Sequence, residues 1–172
     1  HESHAIPGGI ETSILLRDSL YPVDVTLFYD AYGKENIIRQ WTEIRQKENG
    51  PVYISRYASS YLWLEGNHYY LNEFASDWAK EMQIKSSELV YGKKIVDSRL
   101  GTRADMFGQP FFEVGMDQPI DENFGTVLMG TLGWTGNYRF TFEVDHDNIL
   151  RVISGINPDA SRYLLKKGEI FR

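Results

Sequence analysis

The chain has no cysteine among its 172 residues. That excludes disulfides, thiol nucleophiles, cysteine zinc sites and iron–sulfur clusters together, while leaving the compartment open, because exported domains also fold without disulfides. Basic runs are missing too. Lys and Arg total 18 against 24 Asp and Glu, for a net charge of −6, and no run exceeds the pairs Lys93–Lys94 and Lys166–Lys167. Nucleic acid and anionic membrane surfaces both require a denser basic stripe, so neither is an expected partner. No stretch approaches the roughly 20 apolar residues of a membrane helix, so no spanning segment is expected. Gly-x-Gly-x-x-Gly, Gly-Lys-Ser/Thr and Gly-x-Ser-x-Gly are all absent, so nucleotide and serine-nucleophile chemistry have no signature here and no cofactor is expected.

What is present is a hydrophobic fraction of 42%, enough to bury a core in one domain, and an aromatic fraction of 14%. Residues 1–11, HESHAIPGGIE, carry Pro7, Gly8 and Gly9 without periodicity and read as a flexible tail, leaving 12–172 as a single domain. The start at His1, without an initiator Met, fits either a processed mature end or a trimmed terminus. Together with the aromatic content and the lack of cysteine, it leads to the expectation of an extracytoplasmic protein, whether secreted, periplasmic or surface-anchored.

Periodicity along the chain predicts an α+β domain. Residues 34–48 place Ile37, Ile38, Trp41 and Ile44 on one helical stripe, with Glu35/Arg39 and Glu43/Lys47 spaced to pair outside it and Asn49-Gly50 as the stop. Ala75-Ser76-Asp77 opens a second predicted helix through about Lys85, placing Trp78 and Met82 inward. A shorter helix is predicted from Thr12 or Ser13 to Leu20. Val23, Val25, Leu27 and Tyr29 alternate in favour of a strand, with a helix starting at Pro22 as the alternative. Tyr138, Phe140, Phe142 and Val144 alternate as another strand, turning through Asp145 to Asn148 into Ile149 to Ile153. The segment 86–99 is ambiguous, a strand pair turning at Gly92 being one reading of it, and Gly115 to Gly125 reads as the longest loop. The expected architecture is an antiparallel β-sheet of hairpins, around Gly66-Asn67 and Asp145–Asn148, with two main helices packed against it. Tyr32-Gly33-Lys34 and Tyr91-Gly92-Lys93 echo each other, as do Trp63–Asn67 and Trp134–Asn137. Two pseudo-repeated halves would produce such echoes, and so would chance.

The segment from Gly101-Thr102 to Gly108-Gln109-Pro110 faintly resembles the repeat of small exported lipoproteins and inhibitors of the β-lactamase-inhibitor-protein type. Only five residues stand where that pattern has a helix of two or three turns, so no residue role follows from the resemblance.

Residues 51–74, PVYISRYASSYLWLEGNHYYLNEF, carry the most specific signal. Read as strands, they place Val52, Ile54, Leu62, Leu64 and Leu71 on one face and Tyr53, Tyr57, Tyr61, Trp63 and Tyr70 on the other. An aromatic face is either covered by a second layer or open as a recognition surface. With the loop acids Asp117, Asp121 and Glu122, these aromatics form the expected binding site for a protein or glycan partner, and the oligomeric state is open. The expected function is a non-enzymatic exported recognition module. The alternative is a carboxylate-dependent hydrolase acting on a polysaccharide, because paired acids leave no fixed sequence spacing; Glu65 and Glu73 join the loop acids as its candidates. No metal site is expected. His1 and His4 lie in an unstructured stretch, and Asp145, Asp147 and Asn148 lack the Gly and distal Glu of a calcium loop and read as a turn.

Overall fold

A computed structural model describes residues 1–159 and 161–172. Among the described residues there are fifteen β-strands, a single 3₁₀ turn and no α-helix. The predicted α+β class is therefore replaced by an all-β one. The chain divides into two compact units, His1–Ser55 with Arg162–Arg172, and Arg56–Ser161, where the sequence reading has one domain from residue 12.

The first unit holds β1 (Glu2–Ile6), β2 (Gly9–Arg17), β3 (Val23–Tyr32), β4 (Ile37–Gln46), β5 (Val52–Ile54), β14 (Tyr163–Leu165) and β15 (Ile170–Phe171). They form a five-stranded antiparallel sheet in the order β1-β2-β3-β4-β15 and a short β14-β5 ladder. Residues 1–11, read as a tail, carry β1 and the start of β2, which pair across Pro7-Gly8. The segment predicted as a helix over 12–20 is β2 as far as Arg17. The segment predicted as a helix over 34–48 is β4, which pairs with β3 through ten consecutive residues. The charges that seemed spaced for a helix surface find partners across the sheet instead: Arg39 pairs with Asp30 and Lys47 with Asp24. Trp41 stacks on Phe28 with ring centroids 4.8 Å apart. A β-rich composition and a long cross-strand register thus outweigh an i, i+4 pattern.

Alternation along these strands sorts the five-stranded sheet into two unlike faces. One carries Asp24, Asp30, Arg39, Glu43 and Arg45 around the Phe28–Trp41 stack. The other carries Ile10, Ile14, Leu16, Val25, Leu27, Ile38 and Ile44, and Ile10, Leu16 and Ile38 on it are exposed.

The second unit holds β6 (Ser60–Glu65), β7 (Tyr69–Ala75), β8 (Gln83–Leu89), β9 (Gly92–Asp97), the 3₁₀ turn Gly101–Arg103, β10 (Gly108–Met116), β11 (Thr126–Thr131), β12 (Tyr138–Val144) and β13 (Ile149–Ile156). Two four-stranded antiparallel sheets, β11-β10-β7-β8 and β6-β13-β12-β9, face each other as a sandwich. Leu71, Phe112 and Val114 from the first sheet meet Phe140, Phe142, Leu150 and Val152 from the second. Phe112 sits edge-on to both Phe140 and Phe142 at 5.0 Å. Two buried tyrosines also bridge the sheets: Tyr69 Oη donates to the Asn148 carbonyl at 2.8 Å and Tyr138 Oη to the Gly108 carbonyl at 2.9 Å.

The β12–β13 hairpin forms in the register its alternation predicts. The Gly66-Asn67 turn does not close a hairpin: β6 pairs with β13 while β7 pairs with β10 and β8, so the turn is a corner between sheets. Residues 83–97 likewise form two strands, but β8 and β9 belong to opposite sheets. The second predicted helix is the end of β7, a turn and β8. Trp78 is 92% exposed, and Ala79 and Met82 take left-handed φ values of 55° and 56° that a helix forbids.

Candidate functional site

The face of the β6-β13-β12-β9 sheet that points away from the core collects the side chains left over by strict alternation. Phe140, Phe142, Leu150 and Val152 turn inward, so Arg139, Thr141, Glu143, Arg151 and Ile153 turn outward. Register aligns them in rows across the four strands. Lys93, Glu143, Arg151 and Trp63 form one row; Ile95, Thr141, Ile153 and Tyr61 form the next; Asp97, Arg139 and Gly155 form a third. The middle row is an apolar stripe bounded on both sides by charge.

The bounding rows are well knitted. Glu143 pairs with Lys93 at 3.2 Å and with Arg151 at 3.8 Å. Arg151 also reaches Asp145 at 2.6 Å and lies 5.6 Å from the Trp63 ring centroid. Arg139 donates to Asp97 at 2.9 Å and to Asp159 at 2.8 Å, and the Asp97 hydrogen bond leads the interactions that raise its pKa. Gly155 lets the 57–59 backbone lie against the sheet, since a Cβ there would come within 3.1 Å of the Tyr57 carbonyl oxygen. Ser59 N–H then donates to the Ser154 carbonyl at 2.8 Å, fixing this segment as a wall. Burial of Tyr57 in that wall raises its phenol pKa. Between wall and sheet runs a groove of about 370 Å³ lined by Tyr57, Ile95, Arg139, Thr141, Glu143 and Ile153, among others.

The expected site residues divide. Tyr57 lines this groove, and Tyr61 and Trp63 share its sheet face, 49% and 58% exposed; Leu62 and Leu64 take the opposite face, as alternation predicts. Tyr70 lies on the outer face of the other sheet, opposite Gly115 and Glu88, and so on the far side of the sandwich from Trp63. The loop after β10 folds over that same outer face, with Gln118 and Ile120 against Gly115. Tyr53 belongs to the first unit, where Arg162 lies 4.5 Å from its ring centroid. A single surface built from five aromatics and the loop is thus not what the fold assembles. Arg151, Ile153, Arg139 and Ile95 are the residues that sequence reasoning left out, although the outward half of the β12 alternation was the signal for Arg139, Thr141 and Glu143.

The acids have mostly structural employment. Asp117, in a left-handed conformation with φ 64°, accepts the N–H groups of Asn67 and His68, which hold its carboxyl below the usual range. Asp121 accepts the Asn123 N–H at 2.8 Å, and Glu73 pairs with Lys94 at 2.6 Å. Asp145, His146 and Asp147 bring ligand atoms within 4.8 Å of one another. Asp145, however, accepts the N–H groups of Ile149 and Asp147, and the Ile149 bond leads in keeping its carboxyl low. It caps the hairpin turn.

Residues 5–166 match the glycosyl hydrolase family 36 N-terminal domain. The chain is 30% identical over 159 residues to alpha-galactosidase AgaA of Geobacillus stearothermophilus, covering 92% of this chain and 22% of that protein. It is 26% identical over 159 residues to alpha-galactosidase 2 of Pediococcus pentosaceus, with the same coverage. The crystal structure of the Geobacillus stearothermophilus GH36 alpha-galactosidase AgaA matches with a TM-score of 0.84 at 29% identity, over 95% of this chain and 23% of that one. A variant of that enzyme in complex with raffinose matches equally well. The chain spans about a fifth of the length of the curated relatives it matches. These likenesses overturn the expected non-enzymatic recognition module and the inhibitor- or lipoprotein-type resemblance, and they favour the hydrolase alternative.

Proposed function

This chain belongs to the glycosyl hydrolase family 36 N-terminal domain family, and on that footing we propose that it is the β-sheet domain of an enzyme hydrolysing α-galactosides, with glycans of the raffinose class as ligands. The observation that carries this reading is the match of its strand arrangement over 95% of its length to the structure of a GH36 alpha-galactosidase. Glycoside hydrolysis needs two carboxyl groups, one of which donates a proton. Asp117, held ionised by two N–H donors, is unsuited to donate, and Glu73 and Asp145 are tied into ion pairs. Because the chain spans only about a fifth of its relatives' length, we place the reacting carboxyls outside it in the proposed enzyme. This chain's contribution is then a scaffold, and the aliphatic face of its five-stranded sheet is the surface on which the remaining polypeptide packs. An extracytoplasmic location completes the proposal and is read by fractionating the producing cells.

The test is galactose release. The full-length protein carrying this chain, incubated with raffinose, is expected to liberate galactose and sucrose. Turnover of another glycoside class with no galactose released sinks the reading.

A further inference from the structure

We propose that the groove on the outer face of the β6-β13-β12-β9 sheet, together with the exposed Tyr61 and Trp63 beside it on the same face, binds a neutral oligosaccharide along the row Ile95, Thr141, Ile153 and Tyr61, with Tyr57 as the wall. The choice of sugar class rests on the α-galactoside reading above; the groove rests on its own geometry.

A pyranose ring has an apolar face of C–H groups rimmed by hydroxyls. The groove has the complementary pattern, one apolar row between two rows of hydrogen-bonding charge. The stripe crosses four strands, about 14 Å at ordinary strand spacing, which suits a short oligosaccharide rather than a single sugar. The groove's volume of about 370 Å³ lies at the lower end of small-ligand sites. Aromatic side chains at an exposed position add rigid contact area with a polar edge. Trp63 is further set in place by the Arg151 guanidinium above its ring, so little rotamer freedom remains to be lost on binding. The ion pairs on either side neutralise one another: Glu143 with Lys93 and Arg151, Arg139 with Asp97 and Asp159. They leave a surface rich in donors and acceptors but without a dominant charge, which disfavours an ionic ligand and suits a polyol.

Another occupant of this face would be protein, namely the rest of the polypeptide. The first unit already offers a more apolar surface for that purpose, with Ile10, Leu16 and Ile38 exposed on a wholly different sheet. Packed interfaces are depleted of charge at their centre, whereas charge lines both sides of the stripe here.

The experiment uses the full-length protein mixed with stachyose at 4 °C, with binding read from tryptophan fluorescence and calorimetry before turnover. Trp63→Ala and Tyr61→Ala are each expected to weaken stachyose binding about tenfold. Tyr70→Ala, on the far side of the sandwich, is expected to leave it unchanged. Ile95→Lys, at an edge strand and outside the core, is the second variant if Trp63→Ala unfolds, and it too is expected to lose binding. Variants that melt with the wild type and bind stachyose equally well overturn the proposal. So does protection of the Trp63 and Tyr61 side chains from hydroxyl-radical labelling in the unliganded full-length protein together with a lowered Tm for Trp63→Ala, since that means protein covers the face. Galactose release from raffinose by the wild type is scored separately, so loss of the groove proposal and loss of the α-galactoside reading are told apart.

Discussion

The Asp117 carboxylate accepts the backbone N–H of Asn67 at 2.5 Å across fifty residues of chain, and its own N–H donates to the His68 carbonyl at 2.8 Å. An acid that looked like a binding or catalytic group thereby becomes the clasp between the β10–β11 loop and the corner where the chain leaves one sheet for the other.

That clasp has a pH signature. The carboxyl is held below its ordinary value of 3.8, chiefly by the Asn67 and then the His68 N–H. A carboxyl depressed in the folded state contributes stability that is present above the unfolded pKa and is lost as pH falls through the folded value. Asp117→Ala is expected to melt below the wild type at pH 7, with the gap closing as the pH drops under about 3.8. Asp117→Asn keeps an acceptor oxygen and is expected to lose less. A Tm series from pH 2 to 7 checks both.

Tyr138 carries the opposite sign. Burial is the main cause that pushes its phenol up from 10.0 to about 12. Its contribution is complete below pH 10 and is lost as the pH rises towards 12, because the unfolded chain ionises first. Relative to Tyr138→Phe, the wild type is expected to lose up to about 2–3 kcal/mol over that window. At neutral pH the Phe variant should be weaker by about 0.5–1.5 kcal/mol through loss of the bond to Gly108. Denaturant unfolding at pH 8 and pH 11.5 would settle it; an equal gap at both rejects the assignment.

The sandwich core turns on Phe112. It is wedged between Phe140 and Phe142, and a Cβ on Gly130 would fall 2.3 Å from its ring. Phe112→Ala is expected to cost about 3–5 kcal/mol. Gly130→Ala, which forces the ring off its seat, should cost about 1–3 kcal/mol. Urea midpoints measure the two, and a neutral Gly130→Ala would mean the ring has room to shift.

The uncovered aliphatic sheet face gives a test of the scaffold role. Leu16→Asp or Ile38→Lys is expected to destabilise the full-length protein by about 1–3 kcal/mol if the rest of the polypeptide packs there. A change within about 0.5 kcal/mol, the range for surface positions, removes that face from the interface.

Some of this was readable from residues alone. Tyr138, Phe140, Phe142 and Val144 alternate without interruption and end in Asp145–Asn148, whose side chains cap their own turn, so β12 and β13 needed only local information. The Tyr61/Trp63 against Leu62/Leu64 split also followed from the two-residue period. The helix read over 34–48 failed for a physical reason. Arg39 and Lys47 satisfy Asp30 and Asp24 on the neighbouring strand rather than Glu35 and Glu43 on their own, and no local window contains that choice.

The alternation of β12 and β13, the hairpin at Asp145–Asn148 and the absence of thiols were thus set by composition and by contacts a few residues long. Which strands share a sheet was decided only in three dimensions. Tyr70 and Trp63 sit on the same face of a local pattern, yet the Gly66-Asn67 corner sends their strands to opposite sheets and the two rings to opposite sides of the sandwich. Side-chain alternation sets a residue's face, but only long-range backbone pairing sets which sheet that face belongs to.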